Sequence, residues 1–335
     1  MFETEPIVCL QSLGTPFITL LMILVTKTGS YPFLIAILAA VIFGIDFKKG
    51  FLLLQLLLWT ALAVEALKIL VAFPRPDFVD NRILDLEYGT KSTSPFIGND
   101  TQGILAFPGR QVLTAFRFQD AFIYSSFGFP SGHAALTTAL WGGCAIVFKS
   151  RTIRTLTPFA VVLVSFSRIY LGRHFIADVV GGAVIGLAAL LIFTSLLRSS
   201  LKDDIFKKES FKLAFMRQNV IFYCFMFAIP LVLISLSLLT SDVAGLFLGA
   251  NVAYLLIIRK GIPDDTGSRA QRATRAFIAL MLFGVSAFLL DSWLTPEGTI
   301  NYLSFTLTEF LKTFIPTLTF WVSVLVCTKL GLYER

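Results

Sequence analysis

Long apolar runs separated by short polar stretches organise this chain. A helix that crosses a bilayer needs about 20 mostly apolar residues. Ten runs reach or approach that length: 8–26, 31–46, 50–73, 133–148, 155–171, 175–197, 219–239, 243–258, 275–293 and 306–328. The second and eighth are short, which predicts little tilt or a start within the interface. The pattern predicts an all-α fold, a polytopic transmembrane helix bundle with six helices in a front part (1–198) and four more in a C-terminal extension (219–335). A basic linker, 199–218, separates the two. Its Lys residues alternate with Phe206, Phe211, Leu213 and Phe215. That reads either as an amphipathic helix on anionic lipid or as a solvated connection. The other long polar segment, 77–129, reads as a loop that serves as a lid, as a binding element, or is disordered.

Composition agrees with lipid as the solvent. The chain is 56% hydrophobic and only 15% charged, whereas soluble domains carry roughly 25% charge. A net charge of +7 would suggest nucleic acid for a soluble protein. Here membrane topology explains it without a nucleic-acid partner, because cytoplasmic loops collect Lys and Arg. With a cytoplasmic amino terminus, most of the 28 basic residues fall on inner loops, and the late outer loops near Asp242 and from Asp291 to Asn301 hold none. The expectation is a multi-pass protein of a bacterial inner membrane with both termini inside. Met1 to Pro6 is acidic, unlike the basic start of a signal peptide, so the first apolar run reads as a retained helix. Cys9, Cys144, Cys224 and Cys327 are widely spaced, which argues against structural zinc and a disulfide framework.

The candidate chemistry lies in three clusters. The only two histidines are His133 and His174. His174 and Asp178 are four apart, so one helix face can carry an imidazole and the carboxylate that orients it. His133 follows Phe129-Pro130-Ser131-Gly132, where a helix start with free backbone N–H groups suits an anion. Lys68 and Arg75, seven apart, can lie on one face near the end of the third helix, with Pro74 and Pro76 stopping it. Arg168 adds a further cation, while Arg173 reads equally well as a supporting or a phosphate-contacting group. The expected topology brings all three clusters to one outer membrane face. Gly182 and Gly186 make a GxxxG spacing that predicts close helix packing and no chemistry.

These motifs, Lys-x6-Arg-Pro, Pro-Ser-Gly-His and Ser-Arg-x5-His-x3-Asp, resemble the three signatures of the type-2 phosphatidic acid phosphatase superfamily. Lys68, Arg75, Pro76, Pro130, Ser131, Gly132, His133, Ser167, Arg168, His174 and Asp178 occupy the signature positions. The resemblance spans about residues 10 to 197 and leaves the last four helices unaddressed. It implies a lipid phosphate or lipid pyrophosphate phosphatase that acts at the outer interface. His174 would be the nucleophile, forming phosphohistidine, with Asp178 orienting it and His133 as general acid. Lys68, Arg75, Arg168, Ser131 and Gly132 would hold the phosphate. It implies no metal and no cofactor. The partners are then a phosphorylated lipid substrate and membrane lipids. Two alternatives stay open: a phosphotransferase passing phosphate to another lipid or sugar, and a lipid transporter. The related haloperoxidases, which are soluble and bind vanadate, fit this chain less well.

Overall fold

A computed structural model describes residues 3–89, 127–198, 220, 222–294 and 302–333. Its described elements are helical throughout, as the apolar pattern predicts. In chain order they are α1 (Glu5–Ser12), α2 (Pro16–Lys27), α3 (Tyr31–Gly44), α4 (Phe47–Val71), the one-turn α5 (Pro76–Val79), α6 (Gly132–Val147), α7 (Arg151–Tyr170) and α8 (Ile176–Arg198). A π-helical turn (Cys224–Ala228) then leads into α9 (Ile229–Ser235), followed by α10 (Ser241–Lys260), α11 (Arg269–Leu294) and α12 (Tyr302–Lys329).

Six described helical stretches are long and apolar enough to cross a membrane, or seven if α2 and α3, bent by 47°, form one broken span. The other four of the ten apolar runs appear, among the described residues, as broken or shorter helices. The run 8–26 is cut at Leu13–Thr15: Thr15 caps α2 by accepting the Ile18 N–H at 3.3 Å, and Pro16 occupies the first turn. An N-cap followed by Pro starts a new helix rather than continuing an old one. The α6 helix has only 16 residues, and the run near 230 yields a short, π-distorted helix. The spanning helices expose large apolar side chains, among them Phe159, Leu191, Phe277 and Phe288. Such faces suit lipid and mark a multi-pass membrane protein.

The chain forms two compact units. Unit 1 comprises Met1–Leu34 and Trp59–Ile192. In it α1 and α2 pack at the end of α7. Met22, Tyr170 and Leu171 form one buried cluster, and Ile7, Ile83 and Phe175 another. The Tyr170 hydroxyl meets Thr19 Oγ1 at 2.9 Å. Gln11 clamps the segment after α5: its Nε2 donates to the Leu84 carbonyl at 2.8 Å, and its Oε1 accepts the Leu84 N–H at 3.1 Å. The same segment bonds the turn between α7 and α8 through Leu86 N–H to the Leu171 carbonyl at 3.2 Å. Gly182 and Gly186 bring α8 against α6. A Cβ on Gly182 would meet the Ser131 carbonyl, and one on Gly186 would lie 2.7 Å from Thr138 Cβ. The GxxxG spacing therefore serves close packing.

Unit 2 comprises Ile35–Leu58 and Phe193–Arg335. Its polar groups are tied to backbone left open by irregular structure. Pro230 has no N–H to give the carbonyl four residues earlier, that of Met226. Asn251 Nδ2 donates to that carbonyl at 2.9 Å, and Gln55 Nε2 donates to Asn251 Oδ1 at 2.7 Å. Buried Arg275 gathers the loop before α11, donating to the carbonyls of Asp264, Asp265 and Thr266 at 3.1 Å each. Its guanidinium lies 4.6 Å from the centroid of the Tyr333 ring.

Candidate active site

All eight candidate site residues fall in unit 1. The first cation cluster sits where α4 ends. Ala72 adopts φ 52°, a left-handed conformation that costs a non-glycine residue about 1 kcal/mol, and it turns the chain out of the helix. Arg75 then lies in extended backbone, φ −83° and ψ 164°, just before α5. Lys68 and Arg75 therefore do not share a helix face: α4 ends at Val71, and the bend at Ala72 and Pro74 lie between them. Lys68 pairs with Glu65 one turn back at 2.9 Å. Arg75 is 5% exposed, and its Nε and Nη1 are buried without a partner among the described residues.

The second cluster opens α6. Ser131 is the N-cap, so Pro130 lies outside the helix rather than just within it. The Ser131 N–H donates to the Asp178 carbonyl at 2.9 Å, which fixes this turn against the start of α8. The Ser131 side chain caps nothing, and its buried Oγ has no partner among the described residues. Gly132 begins the helix, where backbone N–H groups lack intrahelical acceptors. A Cβ added there would sit 4.0 Å from Lys68 Nζ, so the lysine reaches this helix start.

The third cluster joins α7 to α8. His174 Nδ1 faces Asp178 Oδ2 at 3.5 Å, not aligned as a hydrogen bond, and Nδ1 has no hydrogen-bond partner among the described residues. His174 precedes the helix rather than riding on it. Asp178 Oδ2 accepts the Phe175 N–H at 2.9 Å, the capping geometry of a third-position carboxylate. Asp178 thus combines the helix-start role with the imidazole-facing one. The imidazole is 2% exposed. Burial pushes the His174 pKa well below its ordinary value, and the charges of Arg75, Arg168 and Lys68 push the same way. It is therefore neutral near pH 7.

Electrostatic contact joins the clusters: His133 senses Arg168, Lys68, Arg75 and Arg173, and His174 senses His133. Gly29, in the bend between α2 and α3, has no room for a side chain: a Cβ would lie 3.1 Å from His133 Cδ2 and 3.0 Å from Thr137 Oγ1.

Several partners of these residues were not anticipated from sequence. Arg168 Nη1 donates to Glu87 Oε2 at 2.7 Å and to Thr26 Oγ1 at 2.9 Å. Arg173 pairs with Asp85 and lies 5.0 Å from the Tyr88 ring centroid. Burial tends to raise the pKa of Glu87, but Arg168 and then Arg173 and Lys27 outweigh it, holding the carboxyl below its usual range. Glu87 is thus a carboxylate at neutral pH. The segment that supplies Asp85 and Glu87 begins the expected 77–129 loop; residues 90–126 lie outside the described residues, as does the basic linker.

Among the described residues of the three clusters, Arg75 Nε and Nη1, Arg168 Nε, Ser131 Oγ, His174 Nδ1 and Asp178 Oδ1 are buried without a hydrogen-bond partner. Unpaired buried donors are costly, and donors of this kind fit a tetrahedral oxyanion. Residues 49–202 match the family model of the PAP2 superfamily. Over this segment the chain is similar to the PAP2 superfamily. The matched segment carries every signature residue quoted above and points to phosphatase-type activity on phosphate esters. No curated protein and no solved structure matches the chain significantly.

Proposed function

We propose that this protein hydrolyses a lipid phosphate, or the terminal phosphate of a lipid pyrophosphate, through a covalent phosphohistidine. The observation that carries the reading is the cluster of unpartnered buried donors beside a neutral histidine and its facing carboxylate. The phosphoryl group sits among Arg75, Arg168, Lys68, Ser131 Oγ and the Gly132 N–H. His174 attacks phosphorus through Nε2, forming an N–P bond, while Asp178 faces Nδ1 and stabilises the charge that develops on the ring. The P–O bond to the lipid oxygen or lipid phosphate breaks, and His133, protonated once the bound phosphate dianion offsets the surrounding cations, gives its proton to the departing oxygen. Water then attacks the phosphohistidine, His133 takes back a proton, and inorganic phosphate leaves. The cations offset charge on the equatorial oxygens throughout. No step requires a metal ion.

A lipid substrate follows from the setting, since the cluster lies at one end of apolar helices α4, α6, α7 and α8. Their opposite ends carry Lys48, Lys49, Lys149, Arg151, Arg154 and Arg198. Basic residues of that kind mark the cytoplasmic side, and this supports a site that opens at the outer face of a bacterial inner membrane. This orientation does not depend on the total number of spans. The test is phosphate release by purified protein in detergent from a panel of phosphatidate, lysophosphatidate, phosphatidylglycerophosphate and polyprenyl diphosphate, with and without chelator. Release from at least one lipid, unaffected by chelator, is expected. Silence across the panel, or dependence on a divalent ion, would overturn the reading.

A further inference from the structure

The hydrogen bonds of Arg168 are distributed unevenly over its guanidinium. Nη1 is occupied twice, by Glu87 Oε2 at 2.7 Å and by Thr26 Oγ1 at 2.9 Å. Nε is buried with no partner among the described residues. Nε–H and Nη2–H form the side-on fork of an arginine, which matches two oxygens of a phosphoryl group. The two acceptors thus take the remaining edge and leave this fork open.

Both acceptors are themselves fixed. Thr26 has 0% exposure and sits near the end of α2, in the turn before Gly29 approaches His133. Glu87 lies on the segment that Gln11 and Leu171 hold in place, and Lys27 and Arg173 flank its carboxylate at 3.8 Å each. Thr26 lies before residue 49, where the family match begins.

We propose that Thr26 and Glu87 are positioning residues for Arg168: they anchor its Nη1 edge so that the Nε–Nη2 fork faces the substrate's phosphoryl oxygens. This rests on the phosphatase reading for the identity of the oxyanion, although it concerns only how that oxyanion is held. An arginine on a long flexible chain loses less freedom on binding when it is aimed beforehand. Glu87 therefore aids phosphate binding rather than competing with it, because its carboxylate occupies the edge that the phosphate does not use.

The experiment uses the full-length protein in detergent, with orthovanadate as the tetrahedral oxyanion, bound in a calorimeter. Steady-state kinetics on a soluble phosphomonoester run in parallel. Thr26→Val keeps shape and charge but removes the hydroxyl, and it should weaken orthovanadate binding about tenfold, the worth of one hydrogen bond to a charged group. KM should rise in step, with a smaller change in kcat. Glu87→Ala should weaken binding by more, about 30-fold or above. Thr26→Ser keeps the hydroxyl and should bind as the parent does, which separates loss of aim from damage to folding.

Unchanged orthovanadate affinity in both Thr26→Val and Glu87→Ala overturns the proposal. So does tighter binding in Glu87→Ala, which would make the carboxylate a competitor. A Thr26→Ser variant as weak as Thr26→Val, or a parent protein that does not bind orthovanadate, also overturns it. A parent protein that binds orthovanadate yet releases no phosphate from any ester would instead defeat the phosphatase reading, and the positioning claim would stand or fall on the binding data alone.

Discussion

Arg75 in unit 1 and Arg275 in unit 2 are both buried, 5% and 0% exposed, yet they are satisfied in opposite ways. Arg275 spends both terminal nitrogens on three backbone carbonyls and covers its face with Tyr333, so only Nε lacks a partner. Arg75 leaves Nε and Nη1 unpartnered. The first arrangement is complete without a ligand and stabilises a loop. The second leaves a desolvated cation with unmet donors among the described residues, an arrangement suited to an anion. Burial of a charge alone therefore does not mark a functional site; the inventory of its unmet donors does.

The contrast can be broken most forcefully at the nucleophile. His174→Ala should lower turnover by about 10⁴-fold or more, with the variant still eluting as a monodisperse particle from size-exclusion chromatography. Normal phosphate release in that variant removes the proposed mechanism. Next come the two arginines, exchanged for the same residue. Arg75→Met should reduce kcat/KM by about 10²- to 10³-fold with little change in thermal unfolding. Arg275→Met strips three carbonyls of their donor and should cost about 3 kcal/mol of stability. Activity per folded molecule should then be retained. If the two variants exchange these phenotypes, the distinction between the arginines fails.

A smaller effect is a shift rather than a loss. Burial and the neighbouring cations disfavour protonation of His174, so the imidazole stays neutral and nucleophilic as pH falls through the ordinary value of about 6.5. The acid limb of kcat/KM, corrected for the substrate's own second ionisation, should lie below that value. Arg75→Met removes one of the cations and should move the limb upward. A parent limb at or above 6.5 would contradict the assignment. Smallest of all, Asn251→Leu in unit 2 should cost about 1 kcal/mol in unfolding assays, since the Met226 carbonyl loses the Asn251 donor, and phosphate release should be unchanged.

Much of this architecture is legible along the chain because helix spans and ligand motifs are local signals. The apolar runs after 47, 151, 176, 241, 269 and 306 are helices in the structure. The three motif clusters also lie within one unit. The misreadings arise where a single local residue defeats a run. Thr15 and Pro16 divide the first apolar stretch, and Ala72 with φ 52° separates Lys68 from Arg75. The acidic partners were hidden for a different reason. Asp85 and Glu87 sit in an irregular segment without periodicity, and they meet Arg173 and Arg168 more than 80 residues away. No spacing rule joins residues that only the folded chain brings together. Thr26, in the middle of an apolar run, looks like one more helix position until Arg168 is seen to reach it.

The early bend between α2 and α3 carries a consequence for anyone who redraws the boundaries of this protein. Thr26 and Gly29 precede the stretch that defines the family, yet one touches Arg168 and the other crowds His133. A chimera that grafts only residues 49–202 onto a foreign leader would inherit every signature letter and lose part of the wall behind them. The transplantable unit is larger than the recognisable one, and its first seam lies upstream of Gln11.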